Sequence, residues 1–149
     1  MSARLCLIVG FALTLSSCAV TPRFPSTASG AATPAASPGL VVVVDDAAKQ
    51  LAVWYPPGPT RWKLARPVQG EFGRLLVERL RRNGFAVQEY AKTRRPQAEG
   101  QGYELDYVFQ RVDDRVHHLT VRVGTHRLSR AYFERDGRMM AAGAWTRGE

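Results

Sequence analysis

His117, His118 and His126 are the histidines of this chain, and Asp45-Asp46 and Asp113-Asp114 are its aspartate doublets. From such residue types a metal centre or an acid–base pair would be built, and their spacing argues against both. Neighbours on a strand point to opposite faces, so His117 and His118 cannot share a metal without a bulge. His118 and His126 could meet across a hairpin, but no cysteine or carboxylate follows at ligand spacing. Adjacent aspartates diverge on any regular element, and the two doublets read as a helix start and a turn. The Gly-x-Ser-x-Gly elbow, the His-Glu-x-x-His zinc motif and a phosphate-cradling glycine loop do not occur. Nothing in these residues argues for catalysis, a cofactor, a metal or a small-molecule substrate.

The chemistry the sequence does offer is attachment. Met1–Arg4 supplies positive charge, Leu5–Leu15 is largely apolar, and Ser16-Ser17 is a small-residue exit, the three parts of a secretory signal. The apolar run of about 11 residues falls short of the roughly 20 that span a bilayer. Leu15-Ser16-Ser17-Cys18 resembles the bacterial lipobox, which makes Cys18 the expected site of lipid attachment and residues 1–17 the expected signal peptide. Acyl chains contribute about 0.8 kcal/mol per buried CH₂, and two or more give a firm anchor. Cys6 would leave with the signal, so the mature chain would hold one acylated cysteine and no disulfide. Ala19, where an aspartate would favour the inner membrane, points to outer-membrane sorting with the domain facing the periplasm.

The elements that follow are a tether and one domain. Residues 18–39 are rich in Ala, Pro, Ser and Thr and read as a flexible tether. The globular domain is expected over 40–149. Val44, Ala47, Ala48, Leu51 and Tyr55 recur at helical spacing, which predicts a helix over about Val42–Trp54 with Asp45 and Asp46 in its first turn. Arg61–Leu64 alternates as a strand. Glu71–Arg82 carries one apolar stripe and ends at Asn83-Gly84, a left-handed cap. Phe85–Tyr90 reads as a strand and Ala91–Gly102 as a loop. Beyond Tyr103 the period is two, with turns at Asp113-Asp114, Gly124 and Asp136-Gly137. These elements predict a two-layer α+β domain: an antiparallel sheet of four to five strands with two helices on one face.

Charge adds a binding question. The chain has a formal charge of +8; taking Arg4 away with the signal leaves 20 basic against 13 acidic side chains, or +7. Ten basic residues, from Arg61 to Arg95, fall in one stretch. They make either a solvated helix face and loop or a surface for anionic lipid, an acidic protein or nucleic acid. No aromatic–basic recognition motif favours direct nucleic-acid binding.

The segments DDAAKQLAVWYPP (45–57), FGRLLVERLRRNGFAVQEY (72–90) and LSRAYFERDGRMMAAGAWTRGE (128–149) resemble the TrbH family of conjugal transfer proteins. The order of lipobox, Ala/Pro linker, Tyr55-Pro56-Pro57, amphipathic helix, Ser129–Tyr132 and Ala142–Trp145 is similar as well. The resemblance implies a lipid-anchored, non-enzymatic subunit of a mating-pair-formation (type IV secretion) channel. Such a subunit would stabilise an outer-membrane core complex beside TrbG-like and TrbI-like subunits. The alternative is a free-standing envelope lipoprotein whose basic surface binds anionic lipid or cell-wall polymer. Ser129, Arg130, Tyr132 and Trp145 could form a ligand site, but strand alternation accounts for them more simply as packing within the sheet or at a subunit contact.

Overall fold

A computed structural model describes residues 36–92 and 102–149. The expected signal over 1–17, Cys18, the tether as far as Ala35, and Arg94 and Arg95 lie outside them. In chain order the elements are helix α1 (Pro38–Trp54), strand β1 (Arg61–Leu64), helix α2 (Gly70–Arg82), and strands β2 (Ala86–Gln88), β3 (Tyr103–Asp113), β4 (Val116–Val123), β5 (His126–Arg135) and β6 (Arg138–Gly148).

Helix α1 begins at Pro38, four residues before the predicted start and inside the expected tether. The valine run Val41–Val44 has strand-like side chains, yet Val43, Val44, Ala47, Ala48 and Leu51 are buried together. Burial of that stripe outweighs the small helix penalty of β-branched residues. Pro38, with its φ already fixed near the helical value, opens the first turn. Ser37 does not cap its own helix. Its N–H and Oγ donate instead to the Glu71 carboxylate at 2.7 and 3.0 Å, joining the start of α1 to the first turn of α2. The earlier start also moves Asp45 and Asp46 out of the first turn, correcting the expectation that they complement the helix dipole.

Helix α2 ends as predicted. The Phe85 N–H reaches the Leu80 carbonyl at 3.1 Å and the Gly84 N–H reaches Arg81 at 3.0 Å. That is the Schellman pairing, with buried Phe85 as its apolar partner.

The sheet has six strands in the order β2-β1-β3-β4-β5-β6. Strands β3 to β6 form the predicted antiparallel meander, joined by two-residue turns. At Asp136-Gly137 both φ values are positive, 51° and 71°, the condition for a type I′ hairpin. The other two strands differ from the expectation: β1 runs parallel to both β2 and β3, so the sheet is mixed. Helix α2 lies between β1 and β2 in the chain, and a crossover of that kind brings the second strand in parallel to the first.

Both helices pack on one face of this sheet. Leu105, Leu119, Val121, Val123, Leu128 and Tyr132 alternate along the strands toward them, none more than 4% exposed. Trp62, fully buried on β1, meets Tyr55 at 5.2 Å and Phe85 at 5.6 Å between ring centroids. Further along, Phe72 stacks on Phe109 at 4.9 Å, and Phe109 on His117 at 5.4 Å.

Close approach limits one helix position. A methyl group at Gly73 would land on the Tyr107 hydroxyl and lie 2.8 Å from its Cζ. Overpacking of this kind costs about 1–3 kcal/mol, against about 1 kcal/mol gained by replacing glycine inside a helix. Gly73→Ala is therefore expected to lower the unfolding free energy, and by less in a Tyr107→Phe background; a double-mutant cycle in urea measures the difference. The two bonds from Ser37, with Arg74 nearby, hold the Glu71 carboxyl below its ordinary value of 4.5. A lowered folded value means that this contribution is complete above 4.5 and lost as the pH falls through the folded value. Hydrogen-exchange protection of the Leu40 and Val41 amides, both bonded to the Ser37 carbonyl, should drop over that range in the native chain and stay flat in Glu71→Gln.

Candidate functional site

The residues considered for metal or acid–base chemistry are scattered. His117 is 6% exposed on the helix-covered face, beside Glu134 Oε2 at 3.7 Å and under the Arg111 Nε–H at 3.5 Å. His118 faces the other way, next to Thr120 Oγ1 at 3.4 Å. His126 sits at the end of β5 beside Arg147. The hairpin contact imagined between His118 and His126 does not form, because the ladder pairs His118 with Ala131 and His126 with Val123. Asp113 closes β3 ahead of the Asp114-Arg115 turn. Among the described residues no group of three or more His, Cys, Asp or Glu is placed to hold a metal ion.

The residues that do converge are Asp46, Arg130, Tyr132 and Trp145. Arg130 and Tyr132 lie two apart on β5, so strand alternation aims both at the covered face. There Arg130 Nη1 donates to both Asp46 oxygens at 2.9 Å, and the Tyr132 hydroxyl donates to Asp46 Oδ2 at 2.7 Å. Arg130 Nε donates to the Gly143 carbonyl at 3.0 Å. That carbonyl is within reach because β6 carries three residues, 143–145, where β5 has Arg130 alone. Gly143 takes a φ of 90° in this bulge, a conformation that favours glycine. The guanidinium also lies 6.0 Å from the Trp145 ring centre. Ser129 points to the opposite face, where its Oγ meets Thr146 Oγ1 at 2.8 Å.

This arrangement is a clamp between α1 and the β5–β6 hairpin. Tyr132 is fully buried; burial first, then the bond to Asp46, pushes its phenol well above the ordinary value, so it stays protonated and donates. Arg130 and Asp46 have side chains 19% and 29% exposed, little of either in contact with water. Guanidinium, carboxylate and phenol are engaged with one another, which is the packing role rather than the ligand role. Sequence reading found Arg130, Tyr132 and Trp145 but missed Asp46 as their partner. The available cue was its place three residues after Val43 and beside Ala47, on the edge of the apolar stripe.

The basic stretch is also rearranged. Arg66 pairs with Asp106 at 2.5 Å, Arg79 with Asp45 at 2.6 Å, Arg81 with Glu89 at 2.8 Å, and Arg82 with Glu78. Four of the ten cations grouped by sequence are thus matched by carboxylates, three of those carboxylates from outside α2.

Asp46→Ala would leave a mostly buried guanidinium and a buried phenol without their acceptor, at a cost of about 2–4 kcal/mol. Tyr132→Phe should cost about 1 kcal/mol. Adding Arg130→Met to Asp46→Ala should recover part of the loss, since an apolar pair strands no charge; urea unfolding of the four proteins tests the set.

Among the described residues no helix is long and apolar enough to cross a membrane. Searches among curated proteins and among solved structures gave no match. A family model does match, over residues 21–149, and it takes in α1, the Asp46 clamp and the whole sheet. With most of its length covered by that model, the chain belongs to the TrbH family of conjugal transfer proteins.

Proposed function

We propose that this conjugal transfer protein is a lipid-anchored structural subunit of a mating-pair-formation channel, held at the outer membrane through Cys18 and facing the periplasm. The observation that carries the reading is Leu15-Ser16-Ser17-Cys18 standing just ahead of a domain of this family. Acylation there would hold the domain at a bilayer through its buried acyl chains. The described domain supports a structural role: a partly buried polar cluster, Asp46 with Arg130 and Tyr132, joins a helix to a hairpin. In this reading the domain strengthens the core complex by contacts with TrbG-like and TrbI-like subunits, and it does no chemistry.

Two measurements test the proposal. The N-terminal fragment of the protein from membranes should begin at Cys18 and carry the mass of attached acyl chains. Cys18→Ser should move the protein from the membrane pellet to the soluble fraction and lower its copurification with TrbG-like and TrbI-like subunits. A free thiol on that fragment, or a serine variant that stays in the membrane, overturns the anchor.

A further inference from the structure

Helices α1 and α2 cover one face of the sheet, and no described element covers the other. On that second face the strand register sets two arginine pairs directly opposite each other: Arg122 with Arg127 between β4 and β5, and Arg135 with Arg138 between β5 and β6. All four are exposed. None forms an ion pair with a described residue. Asp106 lies across from Arg122 in the ladder but is committed to Arg66 at 2.5 Å. Like charges directly opposite destabilise a sheet, so this face carries repulsion at both ends of β5, relieved only in part at Arg122, which lies beside Glu104 and Asp106. Between the two pairs β5 presents Ser129, Ala131 and Phe133, flanked on β6 by Ala142 and Met140. The result is a small-to-apolar strip with an arginine pair at each end, about 27 Å apart along the strand, and with the Arg115 guanidinium 5.4 Å from the Phe133 ring centre.

The geometry points to this face as the docking surface for an acidic amphipathic segment of a protein partner, with its apolar side on the strip and carboxylates at both ends. A helix of about 18 residues has that length, and guanidiniums pair carboxylates two bonds at a time. Charge complementarity removes the nearer occupants. Residues 1–37 contain no Asp or Glu, residues 93–101 hold Arg94 and Arg95 against Glu99, and a second copy would bring the same arginines face to face. A bilayer surface has no ends to match, whereas this strip is bounded by cations on two sides. The inference relies on the chain working within its transfer system, as proposed above, and not on acylation of Cys18.

The test places a photo-crosslinking amino acid at Ala142 in the full chain, with a control at Glu78 on α2, in donor cells carrying a complete transfer system. The expected adduct at Ala142 joins a protein through a peptide of net negative charge. Arg127→Glu with Arg138→Glu should lower its yield about tenfold while the unfolding midpoint holds or rises, because each change turns a like-charged pair into an opposite one. That second readout separates lost docking from lost folding. Adducts to phospholipid, to another copy of this chain or to its own N-terminal residues would overturn the inference. So would a yield no higher than at Glu78, or one that charge reversal leaves unchanged. The mass at Cys18 reports separately on the anchor.

Discussion

A single carboxylate couples the two ends of the described domain. Asp46 on α1 receives Arg130 and Tyr132 from β5, residues 84 and 86 positions further along the chain. Without it, α1 would still rest its apolar stripe on the sheet, but apolar contact is non-directional. The ion pair fixes the rotation and register of the helix over the hairpin. It also explains the bulge in β6, since Arg130 needs a further acceptor and the Gly143 carbonyl is aimed to provide one. Two features far apart in the chain, the carboxylate on α1 and the bulge in β6, thus supply the acceptors of one largely buried guanidinium.

The same economy governs the rest of the charge. Four arginines between residues 61 and 95 are matched by carboxylates drawn from α1, α2, the segment after β2 and β3. These pairs are mostly exposed, so each adds little stability; their larger effect is on where positive potential remains. Among the described residues it remains on Arg61, Lys63, Arg74 and Lys92 of that stretch and on the uncovered sheet face, where strand register sets Arg122 against Arg127 and Arg135 against Arg138. A basic protein and a basic surface are different things, because ion pairing and strand register, not composition alone, set where cations meet.

Much of this architecture could be read before any coordinates. The meander from Tyr103 through β5 is written largely in two-residue alternation, and Asp136-Gly137 marks its last turn. The stripe of α2 and its Asn83-Gly84 end are equally local. Where the reading went astray, the deciding contact was distant. The valines of α1 look like a strand until the sheet is there to receive them. The parallel placement of β1 and β2 depends on recognising that a helix between two strands acts as a crossover, which sets direction. Arg130, Tyr132 and Trp145 stood out as a group; Asp46, their common partner, looked like a helix-start residue because only the tertiary fold brings it to them. Strand parity places His117 and His118 on opposite faces, which alternation alone implies, whereas the separation of His118 from His126 depends on the β4–β5 register.

Strand β6 is the last in the sheet among the described strands, and from Met139 to Thr146 it has no charged side chain. A flat, uncharged edge of that length is a template on which further chains can add by backbone pairing, the first step toward fibrous aggregates. The extra residues at 143–145 break the regular repeat of N–H and C=O groups along that edge and twist the strand. What orients a carbonyl toward Arg130 on the inside therefore also serves as a guard on the outside, discouraging copies crowded on a surface from zipping together.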